Sequence, residues 1–249
     1  MPDLLYEKRD DYAIFTYNRP ERLNALGGQL INQLTEAVED FTEDPKMRVG
    51  IVTGSGRAFC AGGDLKEMAE GTFKGQFAAT YPYSGNPKPF IAAINGLAVG
   101  GGLETALDCD IRICSTAAYF GLFEPKRGIM AGYATKHLAR VIGLSAANYI
   151  LLTADRIEPE QALEWGIVTE VLEPEQLMPR AIEIAEMIVE NAPLSVEGTK
   201  AQIQEWRLAK VDEALRLGTW VSKVVHASED SKEGPKAFAE KRDPVWKGG

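Results

Sequence analysis

Apolar residues recur along the chain at two spacings, and each spacing predicts an element of secondary structure. Tyr12–Tyr17 and Val49–Thr53 are short runs rich in aromatic or β-branched residues, which predicts two strands. Between them, apolar residues recur every three or four positions and predict an amphipathic helix that ends before Pro45. These positions are Leu30, Ile31, Leu34, Val38 and Phe41.

The chain after position 130 is predicted to be mainly helical. Ser145 is expected to cap one of these helices, because its hydroxyl can accept a hydrogen bond from a first-turn amide. The predicted elements are helices over Tyr133–Val141, Ser145–Leu152 and from Pro159 to Gly166, a strand over Ile167–Leu172, and a long helix that ends before Pro193.

The stretch between positions 89 and 125 carries the strongest pattern. Phe90–Val99 is an apolar run broken once, by Asn95, and predicts one strand buried on both faces. Three glycines and the helix-forming sequence LETALD follow. A second predicted strand, Ile111–Phe120, leads to Glu124, where the following proline favours an extended backbone.

This order of strand, glycine turn and helix start predicts a place for an oxygen anion. The first N–H groups of a helix have no acceptor inside the helix, and a glycine turn exposes backbone amides. The amide of Gly101 is therefore a candidate donor. Glu104 follows just beyond the turn, and Glu124 follows the next strand. We interpret the stretch as an oxyanion-stabilising turn flanked by two carboxylates.

An earlier stretch, GSGRAFCAGGDLKEM, repeats the order of strand, glycines and helix. Asp64 is well placed near a helix start, and the amide of Gly63 is a second candidate donor. Two copies predict an α/β fold built of stacked ββα units. At this point each copy can also be only a tight turn. The stretch is neither a dinucleotide-binding fingerprint nor a P-loop.

Composition narrows the possible partners. The 249 residues include 27 Lys and Arg against 36 Asp and Glu, and the net charge of −9 argues against broad binding to nucleic acids or anionic membranes. A local basic pocket for a phosphate is compatible with that charge. Cys60, Cys109 and Cys114 form no CxxC pair, which predicts buried thiols in a reducing compartment. Because neither a signal-peptide pattern nor a membrane-length apolar run is present, we expect a cytoplasmic protein.

The available side chains restrict the chemistry. The chain has two histidines, His137 and His226, and lacks HExxH, CxxC and GxSxG motifs. We therefore expect neither a metal site nor a serine hydrolase. His137 is interpreted as an ordinary helix residue. Carboxylates remain as acid and base, because an apolar pocket raises the pKa of a glutamate toward neutrality.

Two segments keep alternative interpretations. Between positions 66 and 87, aromatic residues either line a pocket or belong to ordinary packing; they are Phe73, Phe77, Tyr81 and Tyr83. After Leu194 the pattern is helical, with an apolar stripe formed by Val211, Ala214, Leu215, Val221, Val224 and Val225. The basic, aromatic end of the chain, which includes Trp246 and Lys247, is either a solvated tail or a contact for another molecule.

The chain resembles the enoyl-CoA hydratase/isomerase (crotonase) superfamily in AFCAGGDLKEM, AAINGLAVGGGLETALDCDIRI, AYFGLFEPKRGI, NRPERLNAL and KAFAEKRDPVWKG. The resemblance covers nearly the whole chain. It implies a crotonase-like spiral of repeated ββα units over residues 1–192 and a C-terminal helical trimerisation region over residues 193–249. It also implies an acyl-CoA substrate, no cofactor apart from the CoA carried by that substrate, no metal, and a homotrimer or a homohexamer built as a dimer of trimers.

The resemblance also implies roles for individual residues. The two oxyanion amides fall on Gly63 and Gly101, and the two catalytic glutamates of the hydratases fall on Glu104 and Glu124. The family's CoA-contacting positions fall on Arg22, Leu23, Ala25, Ala61, Gly62, Asp64, Leu65 and Lys66. The contact to the nucleotide, which often comes from a neighbouring subunit, falls on Phe238 and Lys241.

The reaction that the resemblance implies is the reversible addition of water to the α,β double bond of an enoyl-CoA. The two amides would stabilise the enolate, Glu104 would help deprotonate the water that attacks C3, and Glu124 would protonate C2. One segment departs from the usual hydratases, which carry a Gly-Pro-x-x-Gly-Gly-like run where this chain has GIMAGYAT. Tyr133 in that run is expected to contact the acyl group and reshape its pocket.

Two other functions stay open. The first is another reaction of the same superfamily, such as double-bond isomerisation of an enoyl-CoA, in which one glutamate shuttles the proton. The second is a non-enzymatic role in RNA binding or as a scaffold. The net charge of −9 counts against RNA binding, and two intact acids count against an inactive site.

Overall fold

The computed structural model describes residues 1–73, 82–208, 223, 226, 227 and 229–245. Its strands form two sheets. They are β1 (Leu4–Lys8), β2 (Tyr12–Tyr17), β3 (Val49–Gly54), β4 (Ala58–Cys60), β5 (Phe90–Ile94), β6 (Leu97–Val99), β7 (Ile111–Ser115), β8 (Tyr119–Gly121) and β9 (Glu170–Leu172).

Helices cover the sheets and form most of the second half of the chain. They are α1 (Leu30–Glu43), α2 (Leu65–Glu70), α3 (Gly101–Asp108), α4 (Ala134–Ile142), α5 (Leu144–Thr153), α6 (Pro159–Glu164), α7 (Pro174–Val189), α8 (Pro193–Leu208) and α9 (Glu229–Glu240). Two short 3-10 turns lie at Pro20–Arg22 and Glu124–Arg127. In the described part of the chain, no helix is long and apolar enough to cross a membrane.

The strand order shows a repeated unit. The six-stranded sheet has the order β1-β2-β3-β5-β7-β9, and the three-stranded sheet has the order β4-β6-β8. Only the β1–β2 pair is antiparallel among these strands. Each of the pairs β3/β4, β5/β6 and β7/β8 therefore places one strand in each sheet, and α2 and α3 follow the first two pairs. This spiral of ββα units confirms the predicted fold class.

The prediction of one strand over Phe90–Val99 is wrong, because the run divides between the two sheets. The side chain of Asn95 accepts a hydrogen bond from the Gly54 amide (3.1 Å) and donates one to the Gly56 carbonyl (3.0 Å). A Cβ atom at Gly96 would overlap the backbone of Arg57. The polar residue and the glycine together turn the chain from the large sheet into the small one.

The predicted strand Ile111–Phe120 is divided in the same way. Strand β7 ends at Ser115, whose hydroxyl donates to the Asn95 carbonyl (3.0 Å) and accepts from the Ala117 amide (3.3 Å). The predicted strand over positions 167–172 is shorter than expected and begins at Glu170. In both cases, a locally apolar sequence continues through a turn and resembles a strand.

One predicted helix cap and one predicted extended residue need correction. Ser145 does not cap α5, because the helix begins at Leu144 with Gly143 as its N-cap residue. Glu124 is not extended but begins a 3-10 turn, in which Pro125 occupies the first turn, where a missing N–H is tolerated. The prediction for Asp64 is confirmed: its carboxylate caps α2 by accepting from the amides of Lys66 (3.2 Å) and Glu67 (3.3 Å).

Both faces of the large sheet are covered, which explains why its central strands are apolar throughout. One face packs against a core that includes Phe15, Phe41, Tyr83 and Phe90. The other face packs against α7 through Leu177, Ala181 and Ala185. Tyr83 is therefore a packing residue, whereas Phe77 and Tyr81 lie outside the described residues. The three cysteines are free and buried.

The C-terminal helices contact the core. The buried amine of Lys200 in α8 donates to the carbonyls of Tyr83 (2.8 Å) and Lys88 (2.9 Å) and to Asp110 Oδ2 (2.7 Å). Helix α9 packs against α2 and against the 3-10 turn that begins at Glu124. The predicted stripe between positions 211 and 225 lies outside the described residues, as do Trp246 and Lys247. The domain boundary at position 193 stays a prediction.

Candidate functional site

The second glycine turn joins β6 to α3 and leaves one helix amide available. Gly100 is the N-cap residue of α3, and its φ of 55° lies in the left-handed region that favours glycine. Its amide donates to the Gly121 carbonyl (2.8 Å), which fixes the turn to β8. Gly101 is the first residue of α3, so its amide has no acceptor within the helix.

The first glycine turn brings a second amide, that of Gly63, close to Gly101. Leu26 forms a parallel bridge with Gly63: its amide donates to the Gly62 carbonyl (2.7 Å), and its carbonyl accepts from the Asp64 amide (3.0 Å). These two bonds flank Gly63, and in a parallel bridge the N–H of such a residue points away from its partner, here Leu26. A Cβ atom built on Gly101 would lie 3.7 Å from the Gly63 nitrogen, so the two turns are in contact.

Gly62 keeps the space beside the Gly101 amide open. Its φ is 82°, and a Cβ atom at this position would lie 2.9 Å from the nitrogen of Gly101. Any side chain would therefore strain the backbone and cover the amide. The two turns together can offer two N–H donors to one oxygen, which is the arrangement of an oxyanion hole.

Glu104 lies in the first turn of α3 and is held by a second helix. All residues of α3 are buried, including this glutamate, which is 4% exposed. Its Oε1 accepts a hydrogen bond from the amide of Ala134 (2.8 Å), the first residue of α4. A helix N-terminus carries partial positive charge, so this contact favours the ionised carboxylate.

Glu124 has different surroundings. A Cβ atom at Gly100 would lie 3.0 Å from its Oε1, which places the carboxyl group directly over the second glycine turn. Its Oε2 is buried and has no hydrogen-bond partner among the residues that the structure describes. Burial, together with the nearby charge of Glu104, raises the pKa of Glu124 to about 8.

The two glutamates therefore suit opposite tasks. One carboxyl group accepts a helix amide, while the pKa of the other is raised to about 8. A site with two carboxyl groups in unlike states has a general base and a general acid at the same pH. Both lie at the turn that presents the Gly101 amide.

The two predicted CoA-contacting segments, 22–25 and 61–66, lie side by side. The Ala61 amide donates to the Leu23 carbonyl (3.0 Å), and Leu23 has a left-handed φ of 51°. Asp64, predicted to contact CoA, has its carboxylate engaged by the amides at the start of α2 and by Arg19. The two segments are therefore adjacent, and the Asp64 side chain connects the start of α2 to Arg19, next to the first segment.

Arg19 is a functional-site residue that sequence reasoning missed. Its buried guanidinium donates to the Ala25 carbonyl (2.6 Å), to Asp64 Oδ2 (3.0 Å) and to Glu67 Oε1 (3.0 Å). It therefore ties the segment before α1 to the start of α2, next to the Gly63 amide. Its partner carboxylates lie more than 40 positions away in the sequence, so a local pattern carries no signal for this network.

Asn24 is a second residue that the sequence did not single out. It has a left-handed φ of 56°, a conformation that asparagine tolerates better than most residues. Its side chain accepts from the Arg19 amide (2.9 Å) and donates to the carbonyls of Ser55 (2.9 Å) and Ala58 (2.7 Å). The NRPERLNAL motif contains this residue and was the available signal.

The remaining predicted contacts lie on α4 and α9. Tyr133 directly precedes α4, and its hydroxyl donates to Asp108 Oδ1 (2.8 Å). Phe238 lies on α9, half-exposed, with its ring 4.8 Å from the Arg127 guanidinium. Lys241 follows the end of α9. Helix α9 therefore brings Phe238 to the turn of the second glutamate in its own chain.

A cavity of about 720 Å³ lies between α2, the segment after Glu124 and α9. Its lining is mainly apolar and includes Met68, Ala69, Phe73, Ile129, Pro235 and Ala239. Phe73 therefore lines a pocket. In the described part of the chain, no group of three or more metal-ligating side chains is present. His137 is buried within α4.

Comparisons with known proteins identify the family of the chain. Residues 7–249 match the family model for enoyl-CoA hydratase/isomerase. The (E)-benzylidenesuccinyl-CoA hydratase of Thauera aromatica is 41% identical over 97% of this chain and 98% of its own. The short-chain-enoyl-CoA hydratase of Clostridium acetobutylicum is 37% identical over 96% of this chain and 95% of its own. A solved structure of a carnitinyl-CoA dehydratase from Mycobacterium avium 104 has a TM-score of 0.91, 34% identity and 99% coverage of both chains.

Proposed function

The chain belongs to the enoyl-CoA hydratase/isomerase family, and from that premise we propose that it is a hydro-lyase that adds water reversibly to an enoyl-CoA. The observation that carries the proposal is the unlike surroundings of its two glutamates: Glu104 accepts a helix amide, and the pKa of Glu124 is raised to about 8, beside two glycine turns that are in contact. A hydratase needs a base for water, an acid for carbon, and a site for the enolate oxygen. This arrangement has a candidate for each.

The proposed reaction begins with the thioester carbonyl accepting hydrogen bonds from the amides of Gly63 and Gly101. Glu104 takes a proton from water while the water oxygen forms a bond to C3. The electron pair of the double bond shifts toward the carbonyl, which leaves the negative charge on the thioester oxygen. Glu124 then gives its proton to C2 as the enolate collapses. Exchange with solvent restores both protonation states, so the net change is the addition of one water molecule.

The proposed substrate is an acyl-CoA, with CoA along segments 22–25 and 61–66. The names of similar proteins suggest which substrates to compare. Two are substrates for hydration, a short-chain enoyl-CoA and (E)-benzylidenesuccinyl-CoA, and the third is carnitinyl-CoA as a substrate for dehydration. The apolar cavity beside α2 has room for a bulky acyl group or for the pantetheine arm. The reaction with each substrate is followed by the change in absorbance of the conjugated thioester.

The test compares Glu104→Gln and Glu124→Gln with the unchanged protein on this panel. Each substitution keeps the shape of the side chain and removes its proton chemistry, so we expect kcat to fall by roughly 10²–10⁴-fold in each. Glu175→Gln, an exposed glutamate in α7, is the matched control and should leave kcat unchanged. Hydration by Glu104→Gln at the full rate would exclude the two-glutamate mechanism.

Isomerisation is the alternative outcome of the same test. One glutamate is enough to move a proton between carbons, because its carboxylate takes the proton from one carbon and the resulting acid returns it to another. A pKa of about 8 makes both forms of Glu124 accessible for this cycle. In that case the unchanged protein would exchange solvent deuterium into an enoyl-CoA without adding water, and Glu104→Gln would retain most of that exchange. The subunit assembly, a homotrimer or a dimer of trimers, stays a prediction that analytical ultracentrifugation would test.

A further inference from the structure

Helix α4 contacts two successive turns of α3 through neighbouring residues. The Ala134 amide donates to Glu104 Oε1 (2.8 Å), and the Tyr133 hydroxyl donates to Asp108 Oδ1 (2.8 Å). Glu104 and Asp108 are four residues apart in α3, so they lie on one face of the helix. The start of α4 is therefore attached at two points, and one of them is the candidate base.

Asp108 is a fixed point of attachment. It is fully buried, and besides Tyr133 it accepts hydrogen bonds from the Tyr83 amide (2.7 Å) and the Ser84 hydroxyl (2.5 Å). Charge-assisted hydrogen bonds of this kind are strong and directional. The side chain of Asp108 is thus held from the core side and cannot follow a movement of α4.

The aromatic ring of Tyr133 is held from the other side. It stacks on the ring of His137, one turn further along α4, with 4.0 Å between the ring centroids. The preceding Gly132 is exposed, and no atom of the described residues lies within 4 Å of the position where its Cβ would be, whereas Ala131 before it is buried in the core. The hydroxyl of Tyr133 ties the residue directly before α4 to Asp108, and with it the adjacent Ala134 amide.

We propose that Tyr133 is a positioning residue for Glu104, acting through its hydrogen bond to Asp108 and the adjacent Ala134 amide. The proposal rests on the proposed function, in which Glu104 is the base for water. Tyr133 need not touch the substrate in this role. Its hydroxyl fixes the donor that orients the Glu104 carboxylate, and a small displacement of that carboxylate misaligns the attacking water.

The test is Tyr133→Phe, which removes the hydroxyl and keeps the ring that stacks on His137. Ser84→Ala removes another donor to the same Asp108 oxygen without touching α4. Tyr149→Phe removes an exposed Tyr–Asp hydrogen bond elsewhere, to Asp155 (2.7 Å). For a substrate that the unchanged protein hydrates, we expect Tyr133→Phe to lower kcat roughly tenfold with KM within about twofold. Ser84→Ala should lower kcat clearly less, because the Tyr83 amide still holds Asp108, and Tyr149→Phe should leave it within about twofold.

A second measurement does not depend on activity. In protein labelled with ¹⁵N-alanine, the amide resonance of Ala134, assigned with Ala134→Gly, should move in Tyr133→Phe, and its hydrogen exchange should accelerate by about tenfold. Both changes should be clearly smaller in Ser84→Ala, and neither is expected in Tyr149→Phe. If no enoyl-CoA is hydrated by the unchanged protein, the proposed function fails, and this resonance still decides whether Tyr133 fixes the Ala134 amide.

Three results would overturn the inference. The first is an unchanged kcat in Tyr133→Phe. The second is an equal loss of kcat in Ser84→Ala, which would place the effect in the Asp108 cluster rather than in α4. The third is an Ala134 resonance that stays where it is in Tyr133→Phe.

Discussion

Glu104 and Glu124 lie beside one glycine turn in two regions of opposite character. Glu104 belongs to a fully buried helix, and the N-terminus of a second helix donates to it. Glu124 begins a 3-10 turn near the protein surface, and its Oε2 is buried with no hydrogen-bond partner in the described residues. The same side chain is thus stabilised as a carboxylate in one region and as a carboxylic acid in the other.

The difference shows that the proton chemistry of each glutamate depends on the contacts of its carboxyl group and less on the twenty positions that separate the two in the sequence. The backbone amide of Ala134 distinguishes the two glutamates. A hydrogen bond to a carboxylate favours its charged form, and burial without a hydrogen bond disfavours that form. Both roles also depend on the two glycine turns, which fix where the substrate oxygen would lie. The comparison can therefore be tested at the shared turns and at each glutamate.

The largest expected effect is that of removing the buried ion pairs of Arg19, which support the first glycine turn. Arg19→Gln leaves the buried Asp64 and its neighbour Glu67 without their cation, and removing one partner of a buried ion pair costs about 3–5 kcal/mol. We expect the melting temperature to fall by about 10 °C. Arg156→Gln breaks an exposed ion pair with Glu158 and should change it little. Equal melting temperatures of the two variants would contradict the account.

Gly62→Ala should act on the amide and leave both glutamates unchanged. The added Cβ would lie 2.9 Å from the Gly101 nitrogen, and loss of one oxyanion donor costs roughly 3–4 kcal/mol of transition-state stabilisation, or about 10²–10³-fold in kcat. Gly71→Ala is the control, because its φ is also positive (69°) but no atom of the described residues lies within 4 Å of its Cβ position. If both variants lose the same activity, backbone strain rather than a covered amide is responsible.

Glu124→Gln should change how stability depends on pH. A carboxyl group whose pKa rises from 4.5 to about 8 on folding stabilises the protein below pH 4.5, and this contribution is lost as pH rises through about 8. Relative to the unchanged protein, Glu124→Gln should therefore gain about 4 kcal/mol of stability between pH 5 and pH 9. Denaturant unfolding at several pH values measures this, and a constant difference would contradict the raised pKa.

The smallest expected effect is that of Gly100→Ala, which acts on one glutamate. The added Cβ would lie 3.0 Å from Glu124 Oε1 and displace that carboxyl group, while the Ala134–Glu104 contact stays intact. We expect kcat to fall roughly tenfold, about 1.4 kcal/mol. Gly71→Ala serves again as the control for positive φ. Full activity would show that the position of Glu124 is not critical.

The sequence was informative wherever one local segment decides the structure. The glycine turns, the helix start at Asp64 and both glutamates were predicted, because glycine and carboxylate side chains have few other reasons to recur in that order. The strand breaks at Asn95 and Ser115 were not predicted, since apolar residues continue on both sides of each turn. A buried run has the same composition whether it stays in one sheet or crosses to another.

The parts of the site that depend on distant contacts could not be predicted. Arg19 and Asp108 have partners far along the chain, and the donor to Glu104 is a backbone amide, which carries no side-chain signal. Asp108 had a weak signal, four residues after Glu104 on the same helix face. Tyr133 was singled out only as a departure from the family's pattern, and its contact with Asp108 gives that departure a structural consequence.

The central claim is that Glu124 acts as an acid, and the pH dependence of kcat/KM tests it most directly. With the pKa of Glu124 raised to about 8, the rate of hydration should be constant near neutrality and fall above about pH 8, with the slope of a single ionisation. A rate that stays constant or rises from pH 7 to pH 10 would show that no protonated Glu124 is needed, and the division of roles between the two glutamates would be wrong.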